Sequence, residues 1–266
     1  KSLRCKRCNL TELPWSSVLV KLDYLTILDV SGNGLTSARL ECLPMTVREV
    51  DLSSNQLSAL AGSTCDEEHV IVLPHLTRLD VSHNKLTSLP SSMEVSSLQT
   101  LNVSHNRIEE LSAALIDRCN KSLTTLDGSH NGLRTVPDLS GCGSLVEVNF
   151  SDNAIAEPPS VHSHISRLNL NNNSLFTISG LFSGMQLENE TFRSELSELL
   201  LRGNKLSKLD EDIVRCLTNL TLLDVGQNDL TDLPSVLGYL PNLRRVVIDG
   251  NILRVIPTRF TSNTAR

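Results

Sequence analysis

A chain of 266 residues, 39% of them hydrophobic but only 3% aromatic, has enough apolar material for a sizeable core and must build it from aliphatic side chains. The formal charge of −6 argues against nucleic acid as the main partner, because phosphate binding needs clustered Lys and Arg. No apolar run reaches the roughly 18 residues that span a bilayer, so membrane insertion is not expected.

The chain opens on its only dense basic run, Lys1, Arg4, Lys6 and Arg7, which reads either as a solvated surface or as a basic arm for an acidic partner. Within it Cys5 and Cys8 form a C-x-x-C, a spacing that taken alone suggests a redox pair or half a zinc site. The next segments supply another account. The pattern L-x-x-L-x-L-x-x-N-x-L recurs, most clearly as LTRLDVSHNKL (76–86), LQTLNVSHNRI (98–108) and LTTLDGSHNGL (123–133). Its polar position is held by Asn33, Asn55, Asn84, Asn106, Asn131, Asn153, Asn173, Asn204, Asn228 and Asn251, with Cys8 in the same place at the N-terminal edge. Successive spacings are 25, 22, 29, 22, 25, 22, 20, 31, 24 and 23 residues. In this register Cys5 falls on an inward Leu position, so both cysteines are expected to be structural; Cys42, Cys65, Cys119, Cys142 and Cys216 read as buried thiols away from the strands.

These repeats identify the chain as resembling leucine-rich-repeat proteins over essentially its whole length, about eleven copies with Asn or Cys at the marked position. The resemblance implies an α/β solenoid: a right-handed curved horseshoe with a concave parallel sheet and a convex side of mixed helical, 3₁₀ and irregular segments. Residues 1–266 are read as a single domain, since a solenoid grows by stacking. Two steps are longer than the rest, around 58–75, with Asp66, Glu67 and Glu68, and around 174–195, with Phe176, Phe182, Met185 and Phe192. Each is expected to be a loop or a longer convex helix. SLPSSMEVSSLQT (88–100) and DLPSVLGYLPNLRR (232–245) are expected to form short helical or 3₁₀ turns entered at a proline. The end, 254–266, reads as an incomplete cap, with Phe260 as a minimal lid or with a natural chain that continues.

Strand side chains alternate, so residues flanking the inward leucines should form outward columns about 4.8 Å apart from repeat to repeat. One column runs through Asp29, Asp51, Asp80, Asn102, Asp127, Asn149, Asn169, Leu200, Asp224 and Val247. The next runs through Ser31, Ser53, Ser82, Ser104, Ser129, Ser151, Asn171, Arg202, Gly226 and Asp249, predicting a polar, acidic centre with a Ser/Asn stripe. A third, including Arg78, Thr100, Thr125, Glu147, Arg167, Glu198, Leu222 and Arg245, mixes signs without repeating and is the better candidate for partner selectivity. His83, His105 and His130 share one position in three consecutive repeats and should stack about 5 Å apart. In-line stacking suits a hydrogen-bonding or pH-sensitive contact strip better than tetrahedral metal ligation, and no metal is assigned.

The candidate partner-binding set is therefore Arg78, Asp80, His83, Asn102, His105, Asp127, His130, Glu147, Arg167 and Arg202, with Arg78, Arg167 and Arg202 as anchors. The asparagines are expected to face inward and serve the turns. No G-x-x-x-x-G-K-[ST], H-E-x-x-H or G-x-S-x-G occurs, and an open face excludes no water, so neither an enzyme nor a cofactor site is expected.

The closing repeats, LTDLPSVLGYLPNLRRVVIDGNILRVIP (230–257), resemble those of intracellular leucine-rich-repeat proteins of the leucine-rich-repeat-containing protein 40 and plant Ras-group-related types, with Ile252 where that family often has Pro. This implies a cytoplasmic scaffold or signalling adaptor with a protein partner. Two alternatives stay open: an extracellular ligand-binding ectodomain, suggested by N-x-[ST] sequons at Asn9, Asn102, Asn120, Asn172, Asn189 and Asn219, and the targeting domain of a larger kinase or phosphatase.

Overall fold

The structure, a computed structural model, describes residues 1–61, 70–90, 92–183 and 193–255. The expectations for Cys65, for the acidic residues 66–68, for Met185, Asn189 and Phe192, and for the lid at Phe260 lie outside the described residues. Two compact units divide the chain at residue 133.

In unit 1, residues 1–133, each repeat contributes a three-residue strand: β1 (Ser2–Arg4), β2 (Ile27–Asp29) and β3 (Glu49–Asp51), then, after β4 (Ile71–Val72), β5 (Arg78–Asp80), and after β6 (Met93–Glu94), β7 (Thr100–Asn102) and β8 (Thr125–Asp127). All but β4 and β6 pair in parallel in the order β1-β2-β3-β5-β7-β8, with Leu3, Leu28, Val50, Leu79, Leu101 and Leu126 in register. Those middle residues point inward, and from Leu28 onward they are at most 1% exposed. Behind them Val30, Leu52, Val81 and Val103, then Leu35, Leu57, Leu86 and Ile108, are fully buried, so each repeat is one aliphatic layer pressed between two others. Burying such a side chain contributes about 1.5–3 kcal/mol, which no repeat secures without a neighbour.

The convex side is mixed. It carries 3₁₀ turns at Leu19–Lys21 and Leu40–Cys42 and helix α1 (Ala113–Cys119), which buries Leu115, Ile116 and Cys119. The segment 88–100 departs from expectation: its described residues make no helical turn, because β6 pairs in parallel with β4. The cause is a local period of two, with Met93 and Val95 buried and Glu94 exposed between them.

Unit 2, residues 134–266, repeats the scheme with β9 (Glu147–Asn149), β10 (Arg167–Asn169), β11 (Glu198–Leu200), β12 (Leu222–Asp224) and β13 (Arg245–Val247), parallel and in that order. Phe150 and Phe182 are fully buried among its aliphatic layers, while Phe176 is exposed. Helix α2 (Glu211–Cys216) starts at Asp210, whose carboxylate accepts from the N–H groups of Asp212 and Ile213. A 3₁₀ turn at Ser235–Tyr239 occupies the second proline-entered segment.

The turn after each strand is held by the repeat asparagine. Asn84 Oδ1 accepts the N–H of Leu57 in the preceding repeat at 3.0 Å, while its Nδ2 donates to the carbonyls of Leu52, Val81 and Ser82. Asn55, Asn106, Asn173, Asn204 and Asn228 repeat this arrangement. Cys8 stands at the outermost turn of unit 1 and is exposed; its N–H is satisfied by Asn33 Oδ1 at 2.9 Å and its thiol lies 3.3 Å from Lys6 O. Inward placement therefore fails for Cys8, and Cys5 and Cys42 are only half-buried, whereas Cys119, Cys142 and Cys216 are buried.

Before every one of these positions the backbone is left-handed. Arg7, Gly32, Ser54, His83, His105 and His130 in unit 1 and Asp152, Asn172, Gly203, Gln227 and Gly250 in unit 2 all have φ between 50° and 71°. That conformation costs an ordinary L-residue about 1–2 kcal/mol and is least costly for Gly, Asn, Asp and His.

Two stability measurements test these turns. Asn84→Ala strands the buried Leu57 N–H and should cost about 2–3 kcal/mol in urea unfolding; a loss under about 0.5 kcal/mol would show the ladder adds little. At Gln227, with φ of 52°, Val should destabilise by about 2 kcal/mol whereas Gly should be neutral or better; equal melting temperatures for the two variants would contradict the left-handed turn.

Candidate protein-binding face

The outward side chains of each strand are its first and third residues, which flank the buried middle one. In the third-residue column the carboxylates and amides are spent locally. Asp29, Asp51, Asp80, Asn102, Asp127 and Asn149 each accept the hydroxyl of the Ser two residues on, at 2.6 to 2.9 Å. The same oxygen takes that Ser's N–H. The expected outward Ser stripe is accordingly buried at Ser82, Ser104, Ser129 and Ser151, and so are Asp29 and Asp80 at 7% exposed. Burial pushes the Asp29 carboxyl up, but hydrogen bonds from Lys6 and Ser31 outweigh it and hold the group below the usual carboxylate range. Lys6 Nζ sits 2.8 Å from it.

In unit 1 the structure gathers three candidates into one network. Arg78 Nη2 lies 3.0 Å from Asp80 Oδ2, and Asn102 Nδ2 donates to the same oxygen at 3.4 Å. Close by in sequence, His83, His105 and His130 are exposed and stacked, with ring centroids 4.0 Å apart and planes within 11° and 14°. The stack is tighter than the strand spacing because the three residues share the left-handed turn, which aims all three rings alike. Asp127 is half-buried on its Ser129 contact.

In unit 2, Glu147 is exposed and Arg167 Nε pairs with Glu198 at 3.2 Å. Arg202 is held firmly: its guanidinium reaches Asp249 through two hydrogen bonds of 3.0 and 2.6 Å and lies 3.8 Å from Asp224. It crosses Gly226, where an added Cβ would fall 2.4 Å from Arg202 Nη1. Gly226 and Asp249 were not singled out from the sequence, although Arg202, Gly226 and Asp249 are consecutive departures from one Ser column and only together make sense. The hydrogen bonds from Arg202 hold the Asp249 carboxyl below its usual range.

Among the described residues, no group of three or more His, Cys, Asp or Glu is placed to hold a metal, and no helix is long and apolar enough to cross a membrane. Sequence comparison gives these layered parallel strands their family. The chain belongs to the leucine-rich-repeat family: models described as leucine rich repeat match residues 45–108, 74–133 and 194–253, and a second matches 22–43. Leucine-rich-repeat domains as a class are protein-interaction modules and typically non-catalytic. Human Toll-like receptor 6 is 32% identical over 100 residues, 38% of this chain and 12% of the receptor. An uncharacterised leucine-rich-repeat protein of Schizosaccharomyces pombe is 36% identical over 110 residues, 41% of this chain and 17% of that protein. The match therefore spans under a fifth of either relative's length. The solved LRIM1/APL1C complex shares the fold, with a TM-score of 0.74 at 21% identity over 93% of this chain and 46% of that one.

Gly226→Ala should expel the Arg202 guanidinium from its seat. Followed by carboxyl-carbon NMR, the Asp249 titration should then move up toward that of a free carboxylate. Because the folded carboxyl is depressed, the pair's contribution is present above the unfolded value, about 3.9, and is lost as pH falls through the folded one. An unshifted Asp249 titration in the variant would show that the glycine does not seat the clamp.

Proposed function

We propose that this chain is a non-catalytic scaffold or adaptor that docks a protein partner on the outward face of its strands. The observation that carries this reading is the mixed-sign column: Arg78 in unit 1 and Glu147, Arg167 and Glu198 in unit 2 stand on the paired strands of their own units, do not follow the repeat, and have no part in the asparagine ladder. Asp80, Asn102 and Asp127 serve by positioning, and His83, His105 and His130 add a flat polar strip. The residues form one domain on this reading, because the repeat register runs through residue 133 with no linker, Asn131 and Asn153 being 22 residues apart.

A cytoplasmic setting is favoured by cysteines that stand as thiols where the structure describes them and by the closing-repeat vocabulary. The extracellular alternative draws on the Toll-like receptor match and on the exposed sequon asparagine Asn9. Glycans at Asn9 or Asn219 on protein from its native source would decide for the second setting.

The binding face is tested by affinity capture with the wild type beside an Arg78→Ala/His105→Ala/Arg167→Ala variant of unchanged circular dichroism. The expected outcome is loss of at least one stoichiometric partner, with affinity down by about tenfold or more. An identical captured set would move the site off this face.

A further inference from the structure

The outward columns change character in the last repeats. In the third-residue column, where the three-residue strands from β2 to β10 carry Asp or Asn, β11 presents Leu200 and β13 presents Val247; in the first-residue column, which carries Ile27 on β2 and then Glu, Arg or Thr, β12 presents Leu222, and all three are half-buried. The strand register sets Leu200 and Val247 on either side of Asp224, with Leu222 beside Arg245. Replacing polar column residues by apolar ones forfeits the local Ser contact: Arg202 N–H, with no carboxylate two residues back, donates instead to Asn171 Oδ1 at 2.7 Å. Apolar residues on this face therefore serve something other than the turn.

Around the patch one guanidinium, that of Arg202, faces two carboxylates, Asp249 closely and Asp224 at 3.8 Å, and Arg245 stands apart from them. Asp224 takes the Gly226 N–H at 3.0 Å and lies near Arg202. Arg202 is neutralised bidentately by Asp249 and lies across Gly226 with 30% of its side chain exposed, a flat guanidinium whose hydrogen-bonding edge is occupied. Such a surface favours stacking by an aromatic ring over pairing with a further carboxylate. Arg245, exposed and next to Leu222, makes no ion pair among the described residues.

We propose that Leu200, Leu222 and Val247, with the Arg202 plane and the open charge of Arg245, form the docking patch for an extended segment of a protein partner that carries an aromatic or large aliphatic side chain with a carboxylate close to it. The proposal rests on the outward-face reading above and names the chemistry of its partner. The apolar side chain seats on the three aliphatic groups and the guanidinium plane, and the carboxylate pairs with Arg245.

A random dodecapeptide library displayed on phage, selected against the full chain, tests it. Selected peptides should share an aromatic or large aliphatic residue near an Asp or Glu. Their affinity should fall by about tenfold or more on Leu200→Asn/Leu222→Thr/Val247→Asn, which restores residue types that other repeats carry at these positions, and on Arg245→Glu. Exchanging the peptide's acidic residue for Lys should restore binding to Arg245→Glu; if the triple variant misfolds, this charge swap alone decides. A library that yields no enriched peptide overturns the patch. Peptides kept by these variants but lost on Arg78→Ala/Arg167→Ala overturn the patch while the outward-face reading stands, and peptides kept by all variants overturn both.

Discussion

Everything in this protein depends on one reciprocal contact: an asparagine amide that satisfies the backbone of two repeats at once. An unpaired buried N–H or carbonyl costs about as much as several buried methylenes recover, so a sharp turn inside a stack of aliphatic layers is tolerable only if its polar groups are served. Asn84 does this with one acceptor and three donated contacts, and its counterparts do the same in both units. The left-handed residue before each asparagine gives the chain the abrupt reversal that brings the amide inward. The aliphatic core supplies the driving force, but the ladder fixes where each layer begins.

This arrangement divides the outward face into residues that maintain the repeat and residues released from it. The aspartate and serine columns look like an acidic, hydroxyl-rich surface, yet their oxygens and hydroxyls are engaged two residues away, and several of those serines are buried. The first residue of each strand, the histidine strip, and the apolar residues Leu200 and Val247 stand outside these turn contacts. The Arg202 and Asp249 pair shows a third class, in which a departure at one repeat is answered by departures at the next two.

Much of the fold was legible because the asparagine register is written in the sequence every twenty to thirty residues, and stacking follows directly from register. The histidine stack was legible for the same reason, one column in three consecutive repeats. Features were missed where the cue was not columnar. The pairing of β4 with β6 depends on a period-two burial at Met93 and Val95, which the neighbouring Leu89 and Pro90 disguised as the entry to a helical turn. Cys8 has the right register and the wrong burial, because occupancy of a column does not say how many layers cover it. The engagement of the aspartates was hidden by the alternation rule itself, which gives the direction of a side chain and not what it bends back to meet.

The row of positive φ angles also restricts the chemistry the face can acquire. Its described members are Gly, Ser, His, Asp, Asn, Gln and Arg, and none is branched at Cβ. Diversification of this row, by drift or by library, draws on an alphabet that disfavours Val, Ile and Thr, so it varies charge, hydrogen bonding and imidazole content more readily than β-branched bulk. The strand columns carry no such restriction, as Thr100, Thr125 and Val247 show. Residues branched at Cβ are thereby confined to the strand rows of each repeat and kept from its turn row.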